Sequence, residues 1–284
     1  SYKDVPVPGL PKYTGKPIYI EAEKAVLKSD STLFPVNDST SATTSPTSAF
    51  KKHLNTIGGS AWSQSGQYIE WEFFVPEDAL YQIAVKYRQS TNVGMTSYRL
   101  LTLDGELPYA ELEKIGFPYS TSFDNLVLGG DEPILFPLRE GRHTIRMAVV
   151  LGKLSEVLED VEEVVSELNT SYRKILMITG SYPDSLRDYE LETAVPDVIL
   201  AMENNSKKLS ELKETVVRAM GSGSNATKVF DTLAHQLAQF VEDPYYVTSK
   251  LASFKSNISL LSNWLVSAKK QPVQTDYIAL FAPN

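Results

Sequence analysis

Residues 67–88 read QYIEWEFFVPEDALYQIAVKYR, and their alternation decides the fold class. In the first half, Tyr68, Glu70, Glu72 and Phe74 share one side, and Ile69, Trp71, Phe73 and Val75 the other. In the second half, Tyr81, Ile83, Val85 and Tyr87 alternate with Gln82, Ala84, Lys86 and Arg88. A period of two over this length predicts two half-buried antiparallel strands. Pro76-Glu77-Asp78 between them is turn chemistry, because Pro presets φ and Asp bonds its own backbone.

The same signal recurs on both sides of this stretch. Ile18–Val26, Ser97–Leu103 and His143–Val150 read as strands, and Asn125–Leu128 and Pro133–Pro137 as short apolar runs. Asp104-Gly105 is a tight-turn signal. Residues 29–48 are dominated by Ser, Thr, Pro, Asp and Asn, and read as a long polar loop with too little apolar content to bury. Gly58 to Gly66 is a Gly/Ser loop carrying Trp62. Many short strands with turns between them predict a sandwich or jelly roll.

From Leu154 the period changes. Apolar residues fall at 154, 157, 158, 161, 164, 165, 168, 172 and 175, with Glu156, Glu159, Asp160, Glu163 and Glu167 opposite. That is helical spacing. Pro196 suits a first helical position, and Leu209, Leu212, Val216 and Met220 continue one stripe to a Gly221–Ser224 stop. A third helix is expected over Ala226–Val241, and a fourth from Val247 through Leu265. The segment Pro272–Phe281 returns to strand character and needs a partner, since a lone strand is unstable in water. The expected organisation is a linker at 1–17, a jelly-roll β-sandwich built from 18–150 and 272–284, and an α-helical bundle at 151–271 inserted before the last strand. The Pro/Gly-rich start reads as the edge of a piece processed or excised from something longer.

Composition narrows the function. The net charge of −8 (27 basic against 35 acidic residues) offers no basic patch for nucleic acid. Cys is absent, which excludes thiolate metal sites, disulfides and a Cys nucleophile. No apolar run of roughly eighteen residues exists to span a membrane. His53, His143 and His235 are scattered, and neither an HExxH nor a GxSxG motif occurs, so an enzyme is not expected.

Sugar binding needs aromatic faces and a few hydrogen-bonding side chains. Trp62, Tyr119, Phe123, Asp124 and Asn125 are the candidates, with Tyr98 and Arg99 behind them. Trp62 leads because its loop gives a large ring no strand face to bury; the alternative is that it caps the core edge or packs on the helical insert. Trp71 and Trp264 fall on periodic positions and read as core or interdomain packing. Arg187, Asp188 and Tyr189 read as capping and a local ion pair between helices.

Several pieces occur in a known order: Ile20-Glu21-Ala22-Glu23, then Gln67–Trp71, then Val75-Pro76-Glu77 with Tyr81, then Gly141–Arg146, and finally Thr275-Asp276-Tyr277-Ile278. Together they resemble the carbohydrate-binding modules of families six and thirty-five, which are β-jelly rolls. Asp78-Ala79-Leu80 stands where those modules carry Gly before the Tyr, and their sugar-binding aromatic pair and Asn have no match here. The resemblance implies a structural calcium ion held by Glu21, Glu23 and Asp276. Carboxylates at i and i+2 share one side of a strand, and Ca²⁺ takes six to eight oxygens; the alternative is surface acids paired to Lys or Arg. Sandwich and insert together resemble a module of large bacterial extracellular solute-binding proteins of sugar ABC transporters. The expected function is therefore non-catalytic binding of an oligosaccharide or glycan within an exported, cell-surface receptor, beside its other domains. The competing expectation is a structural or protein-interaction module that positions a solute-binding domain, with the bundle as interface and no sugar site.

Overall fold

The computed structural model describes residues 1–4, 8–40, 44, 54–220 and 226–283; His53 and the Gly221–Ser224 stop lie outside them. The chain divides into two units, Ser1–Gly152 with Lys270–Asn284, and Lys153–Lys269.

The first unit is the β-sandwich. Its strands are β1 (Ile18–Glu21), β2 (Leu27–Lys28), β3 (Ile57–Gly59), β4 (Tyr68–Val75), β5 (Ala79–Gln89), β6 (Ser97–Leu103), β7 (Ile115–Phe117), β8 (Ser120–Val127), β9 (Phe136–Leu138), β10 (Gly141–Val150) and β11 (Val273–Phe281). One sheet runs β1-β11-β5-β8, with β3 on β11 and β9 on β5; the other runs β2-β4-β10-β6-β7. The two central strands of residues 67–88 are both present, but they lie in different sheets. Pro76–Asp78 thus carries the chain across the sandwich instead of closing a hairpin. Alternation shows that a strand buries one side; it does not name the strand beside it.

The core forms between the inward sides of the sheets. Ile69, Trp71, Phe73 and Val75 meet Tyr81, Ile83, Val85 and Tyr87 there. Each such side chain contributes about 1.5–3 kcal/mol on burial. Trp71 keeps its polar edge satisfied, with Nε1 donating to Ala22 O at 2.8 Å. The Asp104-Gly105 turn has φ of 50° and 81°, the positive pair that a two-residue hairpin turn demands. β11, more than one hundred residues downstream of β10, enters the middle of the six-stranded sheet, antiparallel to both β1 and β5.

Three expectations change. The first strand ends at Glu21, and Ala22–Lys24 forms a 3-10 turn. The start of the chain is not a free linker: Tyr13 N donates to Leu80 O at 3.0 Å, Leu80 N to Pro11 O at 2.8 Å, and the Tyr13 ring stacks 4.6 Å from Tyr81 inside the core. The described part of the long polar loop is also tied down. Leu33 and Asp38 are buried, and Asn55 Oδ1 accepts from Asp38 N at 2.8 Å.

The second unit contains α1 (Ser155–Thr179), α2 (Leu191–Ala194), α3 (Pro196–Met220), α4 (Ala226–Glu242), α5 (Tyr246–Ser249) and α6 (Leu251–Lys269). The long helices close a ring, α1 on α3 and α6, α4 on α3 and α6. Their buried residues are the stripes read from the sequence, including Val157, Val161, Val164 and Leu168 of α1 and Leu209, Leu212, Val216 and Met220 of α3. Pro196 opens α3. Trp264 packs edge-on to Phe230 at 4.9 Å within this unit. Between α1 and α2, Asp188 Oδ1 accepts from Glu190 N at 2.9 Å, and Arg187 stacks on Tyr189 at 4.8 Å in place of an ion pair.

Candidate functional site

Trp62, the leading sequence candidate, is fully buried. Its loop folds back on itself, with Trp62 N donating to Gly59 O at 3.1 Å. The ring meets Trp71 edge-on at 6.4 Å and is covered by the Arg99 guanidinium at 4.1 Å. It caps the end of the core and offers no face to a ligand. Gly58 makes this possible: its φ is +107°, and a Cβ there would stand 3.0 Å from the Trp62 ring and 2.3 Å from Val273 O.

Arg99 is equally buried, on the same inward parity as Leu101 and Leu103. It donates to Trp62 O at 2.7 Å, Gln271 O at 2.7 Å and Tyr98 O at 2.9 Å. Around it, Gln271 Oε1 accepts from Tyr98 N at 2.9 Å and Gln271 N donates to Ser63 O at 2.8 Å. Asn92 Nδ2 donates to Lys270 O at 2.8 Å. Burial pushes the Arg99 pKa well down, and three carbonyl dipoles with a π face compensate a charge that cannot be shed. Tyr98 and Arg99 thus fasten residues 270–271, which lead into β11. Both are buried, so these secondary sugar-binding candidates act as anchors and not as ligand residues.

The remaining candidates lie on or before β8. Strand parity separates them. Asn125 is opposite Lys86, while Asp124 is opposite Tyr87, a core residue. Adjacent strand residues point to opposite faces, so Asp124 cannot join Asn125 on one surface. Phe123 does join it, because its ring lies 5.9 Å from Lys86 Nζ and 4.8 Å from Arg88 Cζ. Tyr119 is half-buried in the turn between β7 and β8.

Registers across the sheet place these residues in rows on its outer face. One row is Glu21, Tyr277, Lys86 and Asn125; the next is Tyr19, Ala279, Ala84 and Val127. The Tyr19 ring, 56% exposed, stands edge-on to Tyr277 at 5.0 Å. The second row is lower, because its two central positions are alanines, both covered by their neighbours, between Tyr19 and Val127. Three rings, Tyr19, Tyr277 and Phe123, thus lie on this face, the last two 5.1 and 5.9 Å from Lys86 Nζ.

Beneath the rings is a paired charge. Lys86 Nζ meets Asp276 Oδ2 at 2.9 Å, both buried. Asp276 sits where the register of β11 slips between Thr275 and Tyr277, an extra residue aimed at the lysine. Arg88 is fixed beside it: it pairs with Asp38, and donates to Thr40 Oγ1 at 2.7 Å and, through Nη2, to Gln274 Oε1 at 2.7 Å. Burial opposes the Asp38 anion, but Thr40, Arg88 and Gln274 outweigh it and hold the carboxyl below its ordinary value. This network was invisible in the sequence, because its members are up to 236 residues apart.

The three expected calcium ligands are neighbours. Burial raises the Glu23 pKa, and Glu21 and Asp276 add to that by repulsion. Yet they do not form a ready ligand set: among the described residues no group of three acidic or histidine side chains is arranged to hold a metal ion, and Asp276 faces Lys86. No helix among the described residues is long and apolar enough to cross a membrane.

Residues 156–267 match the family model for the bacterial solute-binding protein 4-helix bundle domain. No curated protein matches the chain. Among solved structures, a family 35 carbohydrate binding module from Clostridium thermocellum is 16% identical, with 48% of this chain and 88% of that one covered at a TM-score of 0.35. A CBM35 from Paenibacillus barcinonensis is 15% identical, covering 48% and 88% at 0.26. The GH26-CBM35 β-(1,4)-mannanase of Podospora anserina is 16% identical, covering 48% and 25% at 0.33. The chain joins a β-sandwich, established by its own strand registers, to a helical unit similar to the four-helix bundle domain of bacterial solute-binding proteins.

Proposed function

We propose that this chain is a non-catalytic glycan-binding part of an exported bacterial solute-binding receptor, and that the glycan lies on the outer face of the six-stranded sheet. The supporting observation is the trio of rings Tyr19, Tyr277 and Phe123 on that face, with Tyr277 and Phe123 both against Lys86. Sugar rings present apolar C–H faces that pack on aromatic rings, while their hydroxyls need donors and acceptors close by. Asn125 supplies both at the rim, and the Arg88–Asp38–Gln274 network keeps the Phe123 ring in place. Trp62 and Asp124 have no part in this site. A glycan array comparing the wild type with Phe123→Ala tests the reading: a weakened signal for at least one glycan supports it, and unchanged signals throughout reject it.

A structural calcium ion at Glu21, Glu23 and Asp276 belongs to the same reading. Its support is the crowding of three carboxylates near one lysine; its cost is that Asp276 must turn from Lys86 toward the ion. Added calcium is expected to raise the melting temperature relative to a chelator, and Glu23→Gln to abolish the difference.

The second reading, a protein-interaction module with no sugar site, is favoured by one feature of the bundle. Met177, Tyr182 and Leu186, at the end of α1 and in the connection after it, are 84%, 98% and 88% exposed. Apolar side chains gathered into one exposed patch mark a contact surface.

A further inference from the structure

The helical unit carries a groove of about 830 Å³ between α4 and α6. Its lining repeats with helical spacing. Thr232, His235, Gln236, Gln239 and Asp243 form one stripe, and Lys250, just before α6, joins Ser253 and Asn257 of α6 in lining it. Elsewhere the exposed side of the bundle is charged, as at Glu156, Glu159, Glu163 and Glu167 of α1. Here the amides Gln236, Gln239 and Asn257 and the hydroxyls Thr232 and Ser253 join Glu242, Asp243 and Lys250. The helices are braced by edge-on aromatic pairs, Phe230 with Trp264 at 4.9 Å and Phe240 with Phe254 at 5.5 Å. Such bulky pairs widen the separation of two packed helices, which leaves room above them.

The groove floor is a directed hydrogen-bond chain. Asn257 Nδ2 donates to Gln236 Oε1 at 2.8 Å, Gln236 Nε2 donates to Ser253 Oγ at 2.9 Å, and Ser253 Oγ donates to Lys250 O at 2.9 Å. This orders the half-buried amides and leaves part of their hydrogen-bonding capacity unused within the chain of bonds: Asn257 Oδ1 and one hydrogen on each amide nitrogen. The Tyr246 ring, 54% exposed, stands at the rim beside Tyr245 at 6.5 Å. Glu242 and Asp243 also line the groove, which disfavours an anion.

We propose that this groove is a second ligand site, taking a neutral saccharide whose hydroxyls pair with Gln236, Asn257 and Ser253 while a sugar face stacks on Tyr246. Each sugar hydroxyl is donor and acceptor at once, as each amide is, so the match needs no charge. The volume lies in the range of small-molecule pockets. The proposal stands apart from the sheet-face reading, since no residue is shared.

The test uses the full chain carrying Phe123→Ala, so that sheet-face binding is removed, titrated by calorimetry with neutral hexaoses of β-1,4-mannose, β-1,4-glucose and α-1,6-glucose. At least one hexaose is expected to bind, and Asn257→Ala and Tyr246→Ala are each expected to weaken it about tenfold, the effect of losing one good contact. Side-chain amide signals of Gln236 and Asn257 are expected to shift in the ¹H–¹⁵N spectrum on saturation. Absence of binding by all three hexaoses, binding that both variants leave unchanged, or amide signals that stay still would each overturn the proposal. Tyr246 is exposed, so its variant keeps the fold and separates lost contact from lost structure.

Discussion

Of the arginines of the sandwich that lie over aromatic rings, two form pairs of opposite meaning. Arg99 covers Trp62 at 4.1 Å, and Arg88 covers Phe123 at 4.8 Å. The first pair is sealed: both residues are fully buried, and the guanidinium donates to backbone carbonyls that hold loop 58–66 and residue 271 together. The second pair is open, with the guanidinium fixed from behind by Asp38, Thr40 and Gln274 and the ring left at the surface. A cation–π pair is thus a fastener when desolvated and a preorganised platform when one ring face stays free. Residue types alone do not distinguish the two; burial does.

The sharpest way to break this comparison is at the sealed pair. Trp62→Ala removes a core indole and is expected to cost roughly 3–5 kcal/mol, read as a lowered urea midpoint. If the midpoint held and only ligand binding fell, Trp62 would be a binding residue after all. Arg99→Met, which keeps the stem and deletes the cation, is expected to cost about 2–4 kcal/mol, because three buried carbonyls lose their donors. A neutral or stabilising outcome would show that packing, not the hydrogen bonds, fastens residue 271.

Two carboxyls of the sandwich sharpen it further, with opposite pH dependence. Asp38 is held below its ordinary pKa. Its contribution is present above the unfolded value and is lost as pH falls through the depressed folded value. Glu23 is raised, chiefly by burial. Its contribution is full below the unfolded value and is lost as pH rises through the raised folded one. In melting curves between pH 2 and pH 7, Asp38→Asn should flatten the acid limb, and Glu23→Gln should relieve a loss on the neutral side. Matching curves for both variants and wild type would leave the network with no electrostatic role.

The smallest expected effect is on the other sheet. Burial lowers the His143 pKa, but Arg139 O and Asp104, the latter at 2.7 Å, outweigh it and raise it overall. Its contribution is complete below the unfolded histidine value and fades as pH rises through the folded one. His143→Gln should remove that slope and leave glycan binding as it was.

The sandwich and the bundle were legible because each rests on local periodicity. Ile69 to Val75 and Tyr81 to Tyr87 alternate, the α1 and α3 stripes step by three and four, and Pro196 marks a helix start. What stayed hidden depends on partners distant in sequence. Nothing near Trp62 announces Arg99, and nothing near Asp38 announces Gln274. The division of β4 and β5 between two sheets is a matter of pairing, on which alternation is silent. Asp124 was separable in advance, since three consecutive residues of a strand cannot share a face. The slip that turns Asp276 to Lys86 has no signature in Thr275-Asp276-Tyr277. Helical spacing of Gln236, Gln239, Ser253 and Asn257 was visible too, but apolar stripes draw the eye and polar ones pass as solvent faces.

The central claim, that the open Phe123 face and not the Trp62 loop takes a glycan, is tested most directly by one binding measurement. The whole chain, its Phe123→Ala variant and a conservative Trp62→Phe variant are titrated against the strongest array ligand. The account predicts at least about a tenfold loss for Phe123→Ala with its melting temperature nearly kept, and wild-type affinity for Trp62→Phe. Undiminished affinity in Phe123→Ala, or a loss confined to Trp62→Phe, would contradict it.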